Sequence, residues 1–239
     1  MHSPVALKLA DPIVPQIIQI LRQAIIEMRL KPGEALSEKE VALRYGVSRQ
    51  PVREAFIKLA EAGLLQVLPS RGTYVVKISV REVLNARFVR EAIECALVRS
   101  AAELIDSAGV ARIEQLVADQ KQAAEAGDSA RFYALDEAFH RAIADCVECD
   151  PALRVVESAR AQTDRVRYLS LPDASPLALL IAQHEAILEA IKARDPERAE
   201  AAMRTHLREI LSALPRLADR FPDVFDRSDV PPHARPMPA

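Results

Sequence analysis

Gly46-Val47-Ser48-Arg49-Gln50-Pro51-Val52-Arg53-Glu54-Ala55-Phe56 opens on a glycine, passes a serine suited to cap a helix, and sets a proline in the first helical turn. Pro51 is harmless there, because the first N–H groups of a helix lack an intrahelical acceptor. Gly63 follows the last periodic residue and suits the left-handed conformation that ends many helices. Val52, Phe56 and Leu59 recur at i, i+4, i+7 and form one apolar stripe. Arg49 and Arg53 stand four apart on another face, with Gln50 beside them at the exposed N-terminal end. Guanidinium forks and a carboxamide there match guanine edges, adenine edges and phosphates in a major groove. A solvated basic face fits the same residues, and the flanks decide between the two.

Upstream, Ser37-Glu38-Lys39-Glu40 is a capping box, opening a short helix through Val41, Ala42 and Tyr45 that breaks at Gly46. Before it, Pro12 starts an amphipathic helix (Ile13, Ile17, Ile20, Leu21, Ala24, Ile25, Met28) that stops before Lys31-Pro32-Gly33. Downstream, two short runs, Leu64 to Leu68 and Thr73 to Val76, flank a Pro69-Ser70-Arg71-Gly72 turn, which predicts a hairpin with an arginine at its tip. Three helices and a basic-tipped hairpin make a winged helix-turn-helix, whose wing arginine can enter a minor groove or touch phosphates.

The run from Leu30 through Pro32, Gly33, Leu36, Glu38, Val41, Ala42 and Gly46 to Ala55, with Leu59, Gly63, Leu64, Leu65, Arg71, Gly72 and Val75, resembles the GntR family of bacterial transcription regulators. The likeness covers residues 11 to 77 without an internal gap. It implies DNA contact from Lys39, Ser48, Arg49, Gln50, Arg53, Arg71 and Gly72. Lys39 and Ser48 rest chiefly on that likeness, and Ser48 also fits a purely capping role.

A chain of 239 residues suits two modest domains, each able to bury a core. Residues 1–78 hold 11 Lys/Arg against 7 Asp/Glu, a net of +4, and the remainder 21 against 27, a net of −6. A basic module beside an acidic one fits DNA binding confined to the first part. No run of eighteen apolar residues exists, and Met1-His2-Ser3-Pro4 lacks a signal-peptide pattern, so we expect a cytoplasmic protein with no membrane segment. Three cysteines cannot build a disulfide framework. Cys146-x-x-Cys149 lacks the second pair a structural zinc needs and the strand-to-helix setting of a redox pair.

Residues 78–214 predict an all-helical second domain, a six-helix antiparallel bundle with helices near 80–106, 110–126, 128–147, 151–170, 176–194 and 196–214. Gly109 and Gly127 are read as boundaries, residues 1–10 as an arm, and the proline-rich stretch 215–239 as a disordered tail. Within the bundle, His184 lies mid-stripe among Leu180, Ile181, Ile187 and Leu188, and His206 among Ala199, Ala202, Met203 and Ile210. Asp136 and His140, one turn apart, border the stripe of Phe132, Leu135, Phe139 and Ile143. One carboxylate and three imidazoles therefore point inward from three helices. A lone inward histidine is usually an ordinary core residue, but four such groups need a common partner, and a divalent metal serves all of them. The donor set suits zinc first, with nickel, iron and manganese also compatible.

The Asp136-x-x-x-His140 pair with His184 and His206 resembles the metal-binding FCD domain of the FadR-type branch of the GntR family, in its six-helix, VanR-like form. That likeness implies a small carboxylate as effector. Arg90 sits centrally on the first bundle stripe, where it can fork onto such a ligand or pair internally with Glu94; Gln162, Thr163 and Arg167 are further candidate contacts. The expectation is a homodimeric regulator, a repressor rather than an enzyme, that reads a palindromic double-stranded operator. The alternatives are a metal sensor in which the ion is the signal, and a metal-dependent hydrolase carrying a DNA-binding module; no His-Glu-x-x-His motif supports the latter.

Overall fold

The computed structural model describes residues 7, 8, 10–170 and 177–227. The predicted arm lies largely outside these, as do residues 228–239 of the predicted tail and the prolines Pro172 and Pro176.

Helix α1 (Ile13–Ile26) buries Ile17, Leu21 and Ile25, the side of its apolar repeat that meets the other helices. It stops at Ile26 and does not continue through Met28, which turns to φ 56° so that the Leu30 N–H can donate to Ala24 O at 3.0 Å. A two-residue strand β1 (Ala35–Leu36) follows. Helix α2 (Glu38–Tyr45) is capped by Ser37, whose Oγ accepts from the Glu40 N–H at 3.4 Å, and it ends at Gly46 with φ 66°. Helix α3 (Arg49–Glu61) buries Val52, Ala55, Phe56 and Leu59 in the core of this module. Gly63, φ 69°, closes it, and the Leu64 N–H donates back to Leu59 O at 2.9 Å. Strands β2 (Leu65–Leu68) and β3 (Gly72–Val75) form the predicted hairpin, with Leu65 opposite Val75 and Leu68 opposite Gly72. Strand β1 covers the other edge of β3, Ala35 opposite Tyr74, giving the order β1-β3-β2.

Strand β4 (Ile78–Ser79) leads into six helices: α4 (Val80–Leu104), α5 (Ser107–Glu125), α6 (Ser129–Asp145), α7 (Asp150–Ser170), α8 (Leu177–Lys192) and α9 (Pro196–Arg220). Four of their N-termini are capped by Ser79, Asp106, Asp128 and Asp195, each accepting a backbone N–H three residues on. Helix α4 packs on α7 and α9, α5 packs on α6 and α8, and α8 packs on α9. Gly109 is not a boundary: it lies in the first turn of α5, because the Asp106 cap sets the start three residues earlier.

The predicted disordered tail is corrected over its first part. Pro215 removes one helical N–H and crowds the preceding turn, yet α9 runs on to Arg220. Leu214, Leu217 and Ala218 are buried with Ile78, Val83 and Leu84, and that packing outweighs the lost hydrogen bond. Beyond α9, β5 (Phe225–Asp226) pairs in parallel with β4, and Phe225 joins the same apolar cluster. The chain after the bundle thus clips the segment joining the two modules.

Candidate functional site

The front of α3 is exposed, and its polar residues are held by acids. Arg49 Nη2 donates to Glu38 Oε2 at 3.0 Å and Arg53 Nε to Glu38 Oε1 at 3.2 Å, while Gln50 Nε2 donates to Glu54 Oε1 at 3.0 Å. The hydrogen bond from Arg53, helped by Arg49, holds the Glu38 carboxyl below its ordinary range, so it stays ionised. Ser48 stands at the N-cap position, but its side chain makes no capping hydrogen bond, which corrects the purely capping role. Lys39 is exposed on α2. Arg71 and Gly72 are exposed at the wing tip; Ser70 and Gly72 both have positive φ there, and Tyr74 Oη donates to Arg71 O at 2.8 Å.

Within the bundle, α6, α8 and α9 bring Asp136, His140, His184 and His206 together, one donor atom from each lying within 4.8 Å of the others. All four residues are buried. His206 Nε2 lies 3.1 Å from His140 Nε2 and 3.3 Å from His184 Nε2, and Asp136 Oδ1 lies 3.5 Å from His184 Nε2. Each outer ring nitrogen faces its own oxygen: His140 Nδ1 is 2.6 Å from Glu94 Oε2, His184 Nδ1 is 2.7 Å from Gln120 Oε1, and His206 Nδ1 is 3.0 Å from Gln183 Oε1. Gln120 is oriented by its own Nε2, which donates to Leu135 O at 3.2 Å. The hydrogen bonds assign the proton to Nδ1 in His184 and His206, the Glu94 carboxylate beside His140 Nδ1 favours the same tautomer there, and three Nε2 lone pairs then face one another.

Burial keeps these rings neutral. It pushes His184 down to about 3 against the pull of Asp136, and takes His206 and His140 below their ordinary value as well. Burial alone raises the Asp136 carboxyl, but Arg167 above all, with Arg160, holds it far below the usual carboxylate range. The cluster is therefore one anionic oxygen and three lone-pair nitrogens with no donor among them, a set that fits a divalent cation.

A cavity of about 480 Å³ borders the cluster at His140, with Glu94, Glu137 and Arg160 in its wall. Its far side is supplied by Gln19 and Arg22 of α1, so it lies between the two modules. None of Arg90, Gln162, Thr163 and Arg167 lines it. Arg90 takes the internal option, Nε donating to Glu94 Oε1 at 2.6 Å, and Nη1 reaches Thr163 Oγ1 at 3.1 Å. Arg167 donates to Asp136 and approaches His206 Nε2 at 3.4 Å, touching the cluster itself. Gln162 is a correction: its side chain leaves the bundle and donates to Ala62 O at 3.4 Å and Gly63 O at 3.2 Å, the carbonyls exposed where α3 ends. Sequence reasoning missed Glu94, Gln120 and Gln183 as partners of the imidazoles, and Arg22 and Arg160 as cavity residues. Cys146 donates to Ala142 O at 3.1 Å and Cys149 is exposed; neither contacts the cluster.

No helix among the described residues is long and apolar enough to cross a membrane. The bacterial regulatory proteins of the gntR family match residues 14–75, and the FCD domain matches residues 86–209. The chain is 43% identical over 215 residues to the HTH-type transcriptional repressor RspR of Escherichia coli strain K12, covering 90% of this chain and 94% of that protein. It is 30% identical over 201 residues to a probable D-xylose utilization operon transcriptional repressor of Paenarthrobacter nicotinovorans, covering 84% and 88%. Among solved structures, E. coli McbR/YncC shares the fold with a TM-score of 0.76 at 22% identity, over 88% of this chain and 99% of that one. These relatives are transcription regulators and not enzymes. The matched families, the overall likeness and the winged helix ahead of a helical bundle lead to one conclusion: the chain belongs to the GntR family of DNA-binding transcription regulators and carries an FCD domain.

Proposed function

We propose that this protein is a cytoplasmic, homodimeric repressor whose grip on a palindromic operator is set by a small carboxylate bound beside a divalent metal. The winged helix, about residues 11–77, reads DNA with Arg49, Gln50 and Arg53 at the front of α3, with Lys39 and Ser48 beside them and with Arg71 and Gly72 at the wing. Two copies related by a two-fold axis place two such helices on two half-sites. The repressor assignment follows RspR and the xylose-operon relative, which are named as repressors.

One observation carries the metal reading: three imidazoles, each turned by its own oxygen partner, aim Nε2 at one buried spot beside Asp136. Asp136, His140, His184 and His206 would hold the ion, zinc first, with nickel, iron or manganese also accommodated. When bound, the metal supplies a Lewis-acidic position for a ligand oxygen. The chain's own residues do the rest: the adjoining cavity offers Arg22 and Arg160 to an anion and buries Glu94 against His140.

The test combines elemental analysis of the purified protein with binding to a duplex that it selects from a random pool. Measurements are made on metal-loaded and chelator-stripped protein, with and without a panel of dicarboxylates. The reading expects about one ion per chain and a selected duplex bound well above random competitor. Absence of bound metal, or of any duplex preference at modest ionic strength, refutes it. An affinity that follows the metal and ignores every acid would instead support the ion as the signal.

A further inference from the structure

Helix α7 faces two ways. One side carries Arg160 and Arg167 to the carboxylate of Asp136; the other carries Ala161 into the core of the winged helix and Gln162 to the end of α3. Between these sides runs a continuous line of charge. Arg160 Nη2 lies 3.5 Å from Asp136 Oδ2, Arg160 Nε lies 3.7 Å from Asp164 Oδ1, and Asp164 Oδ2 lies 2.5 Å from Arg22 Nη2. Arg22 belongs to α1, the first helix of the DNA-binding module. Asp136, Arg160 and Asp164 are buried, so water screens this line poorly.

We propose that Arg22 is a positioning residue that reports the state of the histidine cluster to the DNA-binding module, through Asp136, Arg160 and Asp164. The inference rests on the metal reading above and adds how occupancy leaves the bundle. Asp136 divides its charge between Arg167 and Arg160. A dication at the cluster claims that carboxylate and repels both guanidiniums that now rest on it, Arg167 at Oδ1 and Arg160 at Oδ2. Arg160 then leans on its other acids, Asp164 at 3.7 Å and Glu137 at 3.9 Å, the two that also hold Arg22, because an unpaired buried cation is costly. Asp164 is also the closest anion to Arg22; among the described residues the other acid contacting Arg22 is Glu137, at 3.7 Å. Stronger engagement of Asp164 by Arg160 therefore loosens α1 from α7.

A second observation bears on how firmly this side of α7 is held. Arg165 lies one turn beyond Ala161 and Gln162 on α7, is fully buried, and none of its three guanidine nitrogens has a hydrogen-bond partner among the described residues. Burial alone pushes it down to about 10. Burying an unpaired cation on the side of α7 that carries Ala161 and Gln162 costs stability there, which suits a contact made to open.

Hydrogen exchange on the full-length protein, with zinc alone as the probe, tests the relay. In the wild type, zinc slows exchange in α6, α8 and α9 but speeds it at the buried turns of α1, by about 5- to 150-fold, the span of measured couplings between sites. In Arg22→Met, zinc stoichiometry and the slowing in the bundle persist, while the effect on α1 falls below about 2-fold. The paired variant Arg22→Met/Asp164→Leu removes both charges together and guards against a folding defect from a lone buried carboxylate. If α1 in the wild type is indifferent to zinc or slows with the bundle, or if either variant keeps the full α1 response, the relay is refuted. If the wild type takes up no zinc, the metal reading itself fails, and this inference with it.

Discussion

Glu38→Gln isolates the readiness of α3 to meet DNA. In the free protein the Glu38 carboxylate takes hydrogen bonds from both Arg49 and Arg53, two of the guanidinium forks offered to a duplex. Their side chains are 62% and 57% exposed, so each pair belongs to the class of solvated ion pairs. Such pairs are worth about 0.2–1 kcal/mol each. Binding DNA must release them, so neutralising Glu38 removes an opposing cost of about 0.4–2 kcal/mol and tightens DNA binding about 2- to 30-fold. Fluorescence anisotropy on the selected duplex and on random duplex, across a salt series, reads the effect. Both affinities should rise, because the liberated forks reach phosphates as well as bases. The free protein loses stability by about 0.7–3 kcal/mol, the two ion pairs plus about 0.3–1 kcal/mol for the place of Glu38 in the first turn of α2. Weaker binding by Glu38→Gln would refute this reasoning and show instead that the carboxylate holds the forks in their reading geometry.

Three other sites give independent expectations. His184→Ala should take bound metal from about one ion per chain to near none while circular dichroism stays helical, and Gln183→Ala, which removes only the partner of His206 Nδ1, should weaken metal affinity by about 10- to 100-fold; elemental analysis and competition with a chromophoric chelator check both. Gly63→Ala should cost about 1–2 kcal/mol for its left-handed backbone alone, and its new Cβ would meet Gln162 Nε2 at 2.7 Å, so the penalty in calorimetry should shrink in a Gln162→Ala background. Phe225→Ala should destabilise the protein by about 3–5 kcal/mol in denaturant titration, whereas a disordered tail would lose nothing.

What was legible in the sequence was what local chemistry decides. Ser37, Gly46, Pro51 and Gly63 fix turns and helix ends within a few residues of themselves, so the helix-turn-helix could be placed from short windows. The inward histidines were legible for a related reason: helical periodicity sets direction, and each imidazole falls within a stripe of aliphatic residues. Strand β1 was not, because two residues are too few to show an alternation. The run of α9 past Pro215 was not either, since the residues that offset the proline pack on Ile78 and Val83, far away in the chain. Gln120 was within reach. It continues the repeat Ile113, Val117, Ala123 as the one polar member, fully buried, and a buried carboxamide on such a stripe asks for a partner.

Helix α7 marks where such reading stops. Arg160, Asp164, Arg165 and Arg167 are all buried on it, although a helix this charged reads from its sequence as half-solvated. Its burial is tolerable because α1 brings Arg22 to Asp164, α6 brings Asp136 to Arg160 and Arg167, and α9 brings His206 beside Arg167. No window of sequence contains those pairings. A charged inner face is thus a sign that several elements meet there, and in this chain they are the helices of the histidine cluster and the first helix of the DNA-binding module. A helix built only to fill a core would carry leucines at those positions and gain stability from them. That four ionic residues stand there instead places the cost of burying charge where the two modules join, the location at which a small rearrangement of ion pairs alters how one module holds the other.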